Sequence, residues 1–188
     1  MLRALRARIA SRHPTTTGDL AEWTARSPIM VSDDNEGFVR LLQLGFTRSG
    51  LSALGVTHPL DTITLCRHTP ISLIISDLSK PGMNGLEMLE CLYSDPATHH
   101  IPVLFLSASY QPSLIERARR LGALGYIPKP VMITELVEVV CHLLITAGNW
   151  QMPCEPNPIM AQRLTQANTG TWHGKVFPIR YDAHMETI

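Results

Sequence analysis

The chain has 188 residues, of which 45% are hydrophobic and 17% are charged, so it can form a buried core and does not have the composition of a disordered protein. Its 16 basic and 16 acidic residues give a formal net charge of zero, which provides no electrostatic support for nucleic-acid binding. The length suits one domain of ordinary size with additional segments rather than two large domains.

Cysteine spacing and hydropathy narrow the class of protein further. No apolar run reaches the about 20 residues that are needed to cross a bilayer, so we expect no membrane association. The histidines have no spacing typical of a metal site. The cysteines form no C-x-x-C pair, which indicates reduced thiols in a cytoplasmic protein rather than a disulfide framework or a zinc site; they are Cys66, Cys91, Cys141 and Cys154.

Composition divides the chain into three regions. Residues 1–27 are predicted to form an N-terminal arm. Its first ten residues, "MLRALRARIA", lack the continuous apolar centre of a secretory signal. Its Arg-rich, acid-poor character leaves an organelle transit peptide open, but a docking or loosely ordered arm is favoured. Residues 28–147 are the predicted domain. Residues 148–188 form a Pro- and Asn-rich tail with three basic and three acidic residues and no convincing helix-turn-helix, so we expect neither an effector domain nor DNA binding.

In the middle region, short apolar runs alternate with segments of helical periodicity. The predicted strands, in chain order, are PIMVS, LSALGV, SLIIS, IPVLFLSA and ALGYIP. The predicted helices that follow them are NEGFVRLLQLGF, LDTITLCRH, GLEMLECLYS, QPSLIERARRLG and ITELVEVVCHLLI. Five strand-then-helix repeats predict a doubly wound parallel sheet with helices on both faces. Continuous apolar runs such as SLIIS are typical of strands that are buried on both sides.

Ligands of such sheets bind beyond the carboxyl ends of the strands, and charged or hydroxyl residues follow several of the apolar runs. Asp33 and Asp34 follow the first strand, Asp77 the third, Ser107 the fourth and Lys129 the fifth. Three neighbouring carboxylates repel one another unless a cation neutralises them. Mg²⁺ suits carboxylates, water and phosphate oxygens, and a lysine adds positive charge. These residue types fit the phosphorylation of one carboxylate.

The motifs "DD", "SDLSKPGMNG", "LSA" and "YIPKP", in this order, resemble the receiver domain of bacterial two-component response regulators. The resemblance covers roughly residues 28–144. It implies a flavodoxin-like fold whose five parallel strands have the order 2-1-3-4-5. Each motif alone has an ordinary structural explanation, such as helix capping by Asp33 and Asp34 or a solvated Lys129. All of them at strand ends, in the right order, favour the receiver interpretation.

The resemblance implies a role for each acidic or basic site residue. Asp77 matches the phosphoacceptor, and Asp34 matches the direct ligand of Mg²⁺, with Mn²⁺ as an alternative metal. Asp33 matches the neighbour that holds metal-bound water, and Ser79 matches the residue whose backbone carbonyl binds the metal. Lys129 matches the lysine that contacts the phosphoryl group.

Further matches concern switching and loop geometry. Ser107 matches the switch hydroxyl, and Ala108 the small residue after it. Tyr126 matches the aromatic residue whose rotamer follows activation. Pro130 stands where a cis peptide bond is usual in the family, and Gly85 matches the glycine of a tight turn.

The resemblance implies phosphorelay signalling. A histidine kinase or phosphotransfer protein would donate a phosphoryl group to Asp77, and no external substrate would be turned over. Output would pass through protein contacts, to an unidentified partner or a second copy, on the face formed by the fourth helix, fifth strand and fifth helix of the middle region. One alternative is a phosphorylation-independent pseudo-receiver that serves as a scaffold or dimerisation module. A Mg²⁺-dependent phosphatase with an aspartyl nucleophile is disfavoured, because Ser79 stands where a second acid is expected.

Three residues depart from the family pattern. Ser32 and Ser76 replace bulky apolar residues directly before the acidic positions, and Lys80 replaces a common Met. These departures leave the predicted chemistry intact, and Lys80 adds a positive charge near the site.

Overall fold

The structure of the protein is a computed structural model that describes residue 14, residues 17–108 and residues 111–147, with the side chains of residues 17, 18, 146 and 147 left out. The first residues of the predicted arm and the predicted tail at 148–188 lie outside the described residues. The division into arm, domain and tail therefore stays a prediction. Within the described ranges, no helix is long and apolar enough to span a bilayer.

Strands and helices alternate along the described chain after one preceding helix. The strands are β1 (Ile29–Ser32), β2 (Ala53–Val56), β3 (Leu73–Ser76), β4 (Val103–Ser107) and β5 (Gly125–Pro128). The helices are α1 (Thr17–Arg26), α2 (Glu36–Arg48), α3 (Pro59–His68), α4 (Gly85–Ser94), α5 (Pro112–Arg120) and α6 (Ile133–Ala147). Each of the five strands predicted from the sequence is present, and a helix follows each of them.

The five strands form one parallel sheet with the order β2-β1-β3-β4-β5. This order confirms the predicted flavodoxin-like fold. Strand order reverses direction between β1 and β3, and these two strands therefore border the crevice in which ligands of such sheets bind. The predicted acidic residues follow these two strands.

Successive strand residues point to opposite faces of the sheet, and each face is covered by helices. Met30 and Ile74 belong to a buried cluster with residues of α3, α4 and α5. Val31 and Ile75 belong to a second cluster with residues of α1, α2 and α6. Burial on both faces explains why the central strands read as continuous apolar runs.

Three strands begin two residues later than the sequence predicted. The predicted second, fourth and fifth strands start at Leu51, Ile101 and Ala123, whereas β2, β4 and β5 start at Ala53, Val103 and Gly125. For β2 the cause is backbone hydrogen bonding, because the N–H of Leu51 donates to Phe46 at the end of α2. The N–H of Ala123 likewise donates to the end of α5, at the turn that Gly122 makes with a φ of 88°. These residues close helices instead of extending strands.

Helix α1 packs onto the domain. Leu20 is fully buried with residues of α2 and α6. Thr24 is also buried, and its Oγ1 accepts a hydrogen bond from the N–H of Ser52, just before β2, at 3.1 Å. Part of the predicted arm is thus continuous with the hydrophobic core.

Candidate functional site

The predicted site residues of β1, β3 and β5 lie where the strand pairing continues one step beyond the strands. The N–H of Asp77 donates to the carbonyl of Ser32 at 3.0 Å, and the N–H of Asp33 donates to Val56 at 3.2 Å. The N–H of Lys129 donates to the carbonyl of Ser107 at 2.9 Å. These bonds fix the backbones of the acids and the lysine at one edge of the sheet.

Lys129 reaches back over this edge and joins two of the carboxylates. Its Nζ lies 2.6 Å from Asp33 Oδ2 and 3.7 Å from Asp77 Oδ1. The ammonium also lies 4.4 Å from the centre of the Phe38 ring, a distance that suits a cation–π contact. Lys129 is therefore directed into the site, and the alternative of an ordinary solvated lysine is not what the structure shows. The Lys129–Pro130 peptide bond is cis, as the family pattern implies.

Asp33 is satisfied by protein partners. Its Oδ2 binds Lys129, and its Oδ1 accepts a hydrogen bond from the N–H of Asn35 at 2.9 Å. Its side chain is only 4% exposed. An acid engaged on both oxygens suits the predicted indirect role, in which it holds a metal-bound water.

Asp77 differs from Asp33 because one of its oxygens has no hydrogen bond. Oδ1 is buried and accepts no hydrogen bond from the described residues. A buried charged oxygen without a donor is costly unless a cation or another group completes it. The nearest positive charge, Lys129 at 3.7 Å, is beyond hydrogen-bonding distance. Asp77 Oδ1 is thus available to bind a metal or attack a phosphoryl donor.

The remaining predicted metal ligands are accessible. Asp34 and Ser79 are exposed residues in the loops that follow β1 and β3. Among the described residues, no three His, Cys, Asp or Glu side chains converge closely enough to hold a metal by themselves. An oxygen-only set of two carboxylates, one carbonyl and water fits a hard divalent cation such as Mg²⁺, which keeps several waters. The donor types and the incomplete Asp77 Oδ1 therefore fit the metal.

The two predicted switch residues lie in the buried layer between the sheet and the helices α3, α4 and α5. Ser107 ends β4 and is fully buried, and Tyr126 of β5 is 2% exposed. The Tyr126 hydroxyl donates to the backbone carbonyl of Ser107 at 3.4 Å, a long hydrogen bond. The ring already occupies the interior next to Ser107. Residues 109 and 110, which follow this site, lie outside the described residues.

The turn after β3 brings α4 close beneath the acid. The N–H of Gly85 donates to the carbonyl of Leu78 at 2.8 Å. A Cβ at Gly85 would lie 2.7 Å from the carbonyl oxygen of Asp77 and from Phe105 Cε1. Only glycine fits this approach. The predicted tight-turn role of Gly85 agrees with this geometry.

The sequence marked Lys80 as a charge near the site, but it did not predict where the side chain goes. Lys80 is buried, and its Nζ hydrogen-bonds to the hydroxyls of Ser32 at 2.7 Å and Ser76 at 3.0 Å. The three departures from the family pattern thus form one cluster. Burial lowers the pKa of Lys80 to about 8, while the nearby carboxylates, Asp77 foremost, oppose this shift. The signal in the sequence was two serines at matching strand positions together with one nearby lysine.

Comparison with known proteins agrees with the fold and identifies the family. The model of the response regulator receiver domain family matches residues 29–141. The chain is 30% identical over 112 residues to the polar-differentiation response regulator DivK of Brucella anthropi, which covers 60% of this chain and 91% of that protein. It is 29% identical over 127 residues to the sensory/regulatory protein RpfC of Xanthomonas campestris, covering 66% of this chain but only 18% of RpfC.

Solved structures share the architecture. A CheY-like response regulator receiver domain protein from Methanospirillum hungatei has a TM-score of 0.61 at 18% identity, with 64% of this chain and 95% of that chain covered. The phosphorylated cyanobacterial phytochrome response regulator RcpA has a TM-score of 0.54 at 26% identity, with 62% and 89% covered. Because the family match spans more than half of the chain and the strand order is the same as predicted, this chain belongs to the response regulator receiver domain family.

Proposed function

We propose that the chain is a phosphorelay response regulator that accepts a phosphoryl group on Asp77 from a histidine kinase or a phosphotransfer protein. The observation that carries this proposal is the buried Asp77 Oδ1, which lacks a hydrogen bond and lies 3.7 Å from the Lys129 ammonium. Its relatives include response regulators, which act with such donors. The three described cysteines are free thiols, in keeping with a cytoplasmic setting.

Each residue has a defined part in the transfer. A carboxylate oxygen of Asp77 attacks the phosphorus atom of the donor, an acyl phosphate O–P bond forms, and the bond from phosphorus to the donor atom breaks so that the donor leaves with its electron pair. Lys129 stabilises the added negative charge, and the Ser107 hydroxyl donates to a phosphoryl oxygen. Asp34, Asp77 and the Ser79 carbonyl would hold Mg²⁺, Asp33 would hold its water, and the metal would supply further charge neutralisation.

The phosphorylated chain signals by protein contact and turns over no external substrate, in our proposal. Tyr126 shares a buried layer with residues of α5, and its hydroxyl donates to the carbonyl of Ser107. We propose that the output surface consists of α5, β5 and α6, and that it binds a partner protein or a second copy.

The phosphorylation test uses a small donor. With acetyl phosphate and Mg²⁺, the wild-type chain should gain the mass of one phosphoryl group as acetate leaves, and the product should be acid-stable and base-labile. Asp77→Asn should gain none, because an amide does not form an acyl phosphate. Asp61→Asn, which changes an exposed aspartate of α3, is the matched control and should react like wild type. Intact mass spectrometry gives the readout.

One observation favours a second candidate, the phosphorylation-independent scaffold. Asp33 is already neutralised by Lys129, and a second ammonium, Lys80, is fixed beside the same acids. A pocket that is balanced in this way needs no phosphoryl group to be stable. A wild-type chain that never gains mass under the conditions above would favour this candidate.

A further inference from the structure

Lys80 is held inside the protein although lysine is almost never fully buried without a partner. It follows β3 in the loop toward α4 and is 7% exposed. Its Nζ lies 2.7 Å from Ser32 Oγ, 3.0 Å from Ser76 Oγ and 3.5 Å from the Ser32 carbonyl oxygen. Three oxygen acceptors thus meet the three N–H donors of one ammonium.

The two serines are placed for this purpose by the sheet. Ser32 and Ser76 are paired across β1 and β3, and both are completely buried. The Ser32 hydroxyl is itself bonded to Thr62 Oγ1 of α3 at 2.7 Å. The Ser76 hydroxyl donates to the carbonyl of Asp77 at 2.9 Å. Two neighbouring strands and one helix therefore fix the position of the ammonium.

The ammonium lies beside the acidic pocket, because the two serines that bind it directly precede Asp33 and Asp77 in the chain. Asp77, Asp33 and Asp34, in that order, favour the charged form of Lys80, and Lys129 opposes it. Such Coulombic interactions are reciprocal, so Lys80 favours the ionised acids as well. The protein therefore supplies two positive charges at the pocket, those of Lys80 and Lys129.

We propose that Lys80, anchored by Ser32 and Ser76, is a built-in counter-charge of the Asp33, Asp34 and Asp77 pocket that weakens its binding of divalent cations. This inference rests on the proposed function, since it concerns the same metal site. A divalent cation that enters the pocket meets a fixed ammonium that already neutralises part of the carboxylate charge. Because the ammonium is held by buried groups, it is poorly screened and does not swing away.

Removal of the charge tests the proposal directly. The full 188-residue chain is titrated with Mn²⁺ and binding is measured by water-proton relaxation, for wild type, Lys80→Met and Lys80→Gln. Both variants should bind Mn²⁺ on the order of tenfold more tightly, because an unscreened unit charge near a divalent ion costs at least this much in affinity. Glutamine retains a hydrogen-bonding side chain without charge, so equal effects in both variants assign the change to charge.

Two controls accompany the titration. Arg67→Met removes one positive charge from the exposed end of α3, where Arg67 pairs with Asp95 at 2.7 Å, and should leave Mn²⁺ affinity unchanged. Adding Asp34→Asn to Lys80→Met should abolish the gain, because the tight binding requires the pocket. The fold is expected to tolerate Lys80→Met, since Ser32 keeps its bond to Thr62 and Ser76 its bond to Asp77.

The Mg²⁺-induced rise in Tm provides a second readout. A ligand stabilises the folded state more when it binds more tightly. At equal Mg²⁺ concentration, Tm should therefore rise more in Lys80→Met than in wild type. Unchanged affinity in Lys80→Met and Lys80→Gln, or a gain equal to that of Arg67→Met, would overturn the proposal. Failure of every variant to bind Mn²⁺ would overturn it as well. The acetyl phosphate test is independent: a wild type that gains a phosphoryl group while Lys80 variants bind metal normally would sink only this inference.

Discussion

Lys80 and Lys129 both contribute positive charge to the acidic pocket, but their environments differ. Lys129 is partly exposed and pairs directly with Asp33 at 2.6 Å. Lys80 is bonded only to neutral oxygen groups and the sulfur of Met88, and burial outweighs the attraction of the carboxylates. The pKa of Lys80 consequently falls to about 8 from an ordinary value of 10.5. Folding therefore favours the neutral form of this lysine.

This shift predicts a pH-dependent stability that Lys80→Met removes. Below pH 8 the lysine is protonated in both states, and the cost of burying its charge is fully present. Between about pH 8 and 10.5 the unfolded state binds more protons, so the free energy of unfolding rises with pH. The gain is at most about 3.5 kcal/mol, since each pKa unit is worth about 1.4 kcal/mol. Urea unfolding without metal at a series of pH values measures it.

The comparison between the two chains isolates Lys80. Tyrosine and cysteine titrate in the same range, but they do so in wild type and in Lys80→Met alike, so they cancel in the difference. As the pH rises from about 8 to 10.5, the free energy of unfolding of wild type should increase relative to that of Lys80→Met. Parallel pH profiles of the two proteins would contradict the assigned pKa.

For single residues, the sequence predicts which side chains lie at the strand ends better than it predicts where each side chain points. Asp33, Asp77 and Lys129 follow apolar strands, and the carboxyl ends of parallel strands meet at one edge, so their proximity could be expected. The burial of Lys80 could not be expected from the sequence, because the side chain of a loop lysine is ordinarily exposed to water. Its position depends on two hydroxyls that become neighbours only when β1 and β3 pair.

Among the elements, the turn between β3 and α4 passes closest to Asp77. It ends in Asn84, whose side chain accepts hydrogen bonds from the N–H groups of Leu86 and Glu87 and begins α4 with a capping box. Gly85 then passes directly against the carbonyl of Asp77. Any movement of this turn would displace the acid that we propose to be phosphorylated.

Gly85→Ala should therefore lower both stability and phosphorylation. Its Cβ would lie 2.7 Å from the Asp77 carbonyl and 2.9 Å from Leu78 Cα, and backbone atoms cannot yield cheaply, so we expect a loss of about 3 kcal/mol. Gly82→Ala is the matched control. Its φ of 83° costs about 1 kcal/mol for a side chain, but nothing lies within 4 Å of the new Cβ. Urea unfolding and acetyl phosphate labelling of both variants check the difference; equal losses would contradict it.

Element types followed from periodicity more readily than element ends did. All five strands could be predicted, and β1, β3 and β4 with least ambiguity, because every residue of these apolar runs is buried. The starts of β2 and β5 could not, since Leu51 and Ala123 are as apolar as strand residues but give their N–H groups to the preceding helices. This competition between helix closure and strand pairing is decided by backbone geometry.

At the scale of the whole molecule, the sheet separates two layers with different tasks. The layer under α1, α2 and α6 is apolar and includes Leu20 of α1. Helix α1 lies within the predicted arm, and its packing onto the domain depends on Thr24 meeting Ser52, 28 residues away. The other layer contains Tyr126 together with residues of α5, and the Tyr126 hydroxyl donates to the Ser107 carbonyl, so changes at the site are close to one proposed output element.

The proposed route from site to surface predicts that Ser107→Ala separates phosphorylation from association. Loss of the hydroxyl should leave Asp77 able to accept a phosphoryl group, because the acid, Lys129 and the metal ligands are unchanged. The phosphoryl oxygen then no longer draws Ser107 inward, and the Tyr126 ring, already buried against its carbonyl, is not repositioned. Beryllofluoride, which mimics the phosphoryl group, should strengthen self-association or partner binding of wild type by about 5- to 150-fold, the usual range of allosteric coupling. It should strengthen association of Ser107→Ala far less.

Sedimentation with and without beryllofluoride measures the effect, with Ser94→Ala at the exposed end of α4 as the matched control. Equal mimic-induced association in wild type and Ser107→Ala would exclude this hydroxyl from the route, because a population shift requires a group that interacts differently with the two states.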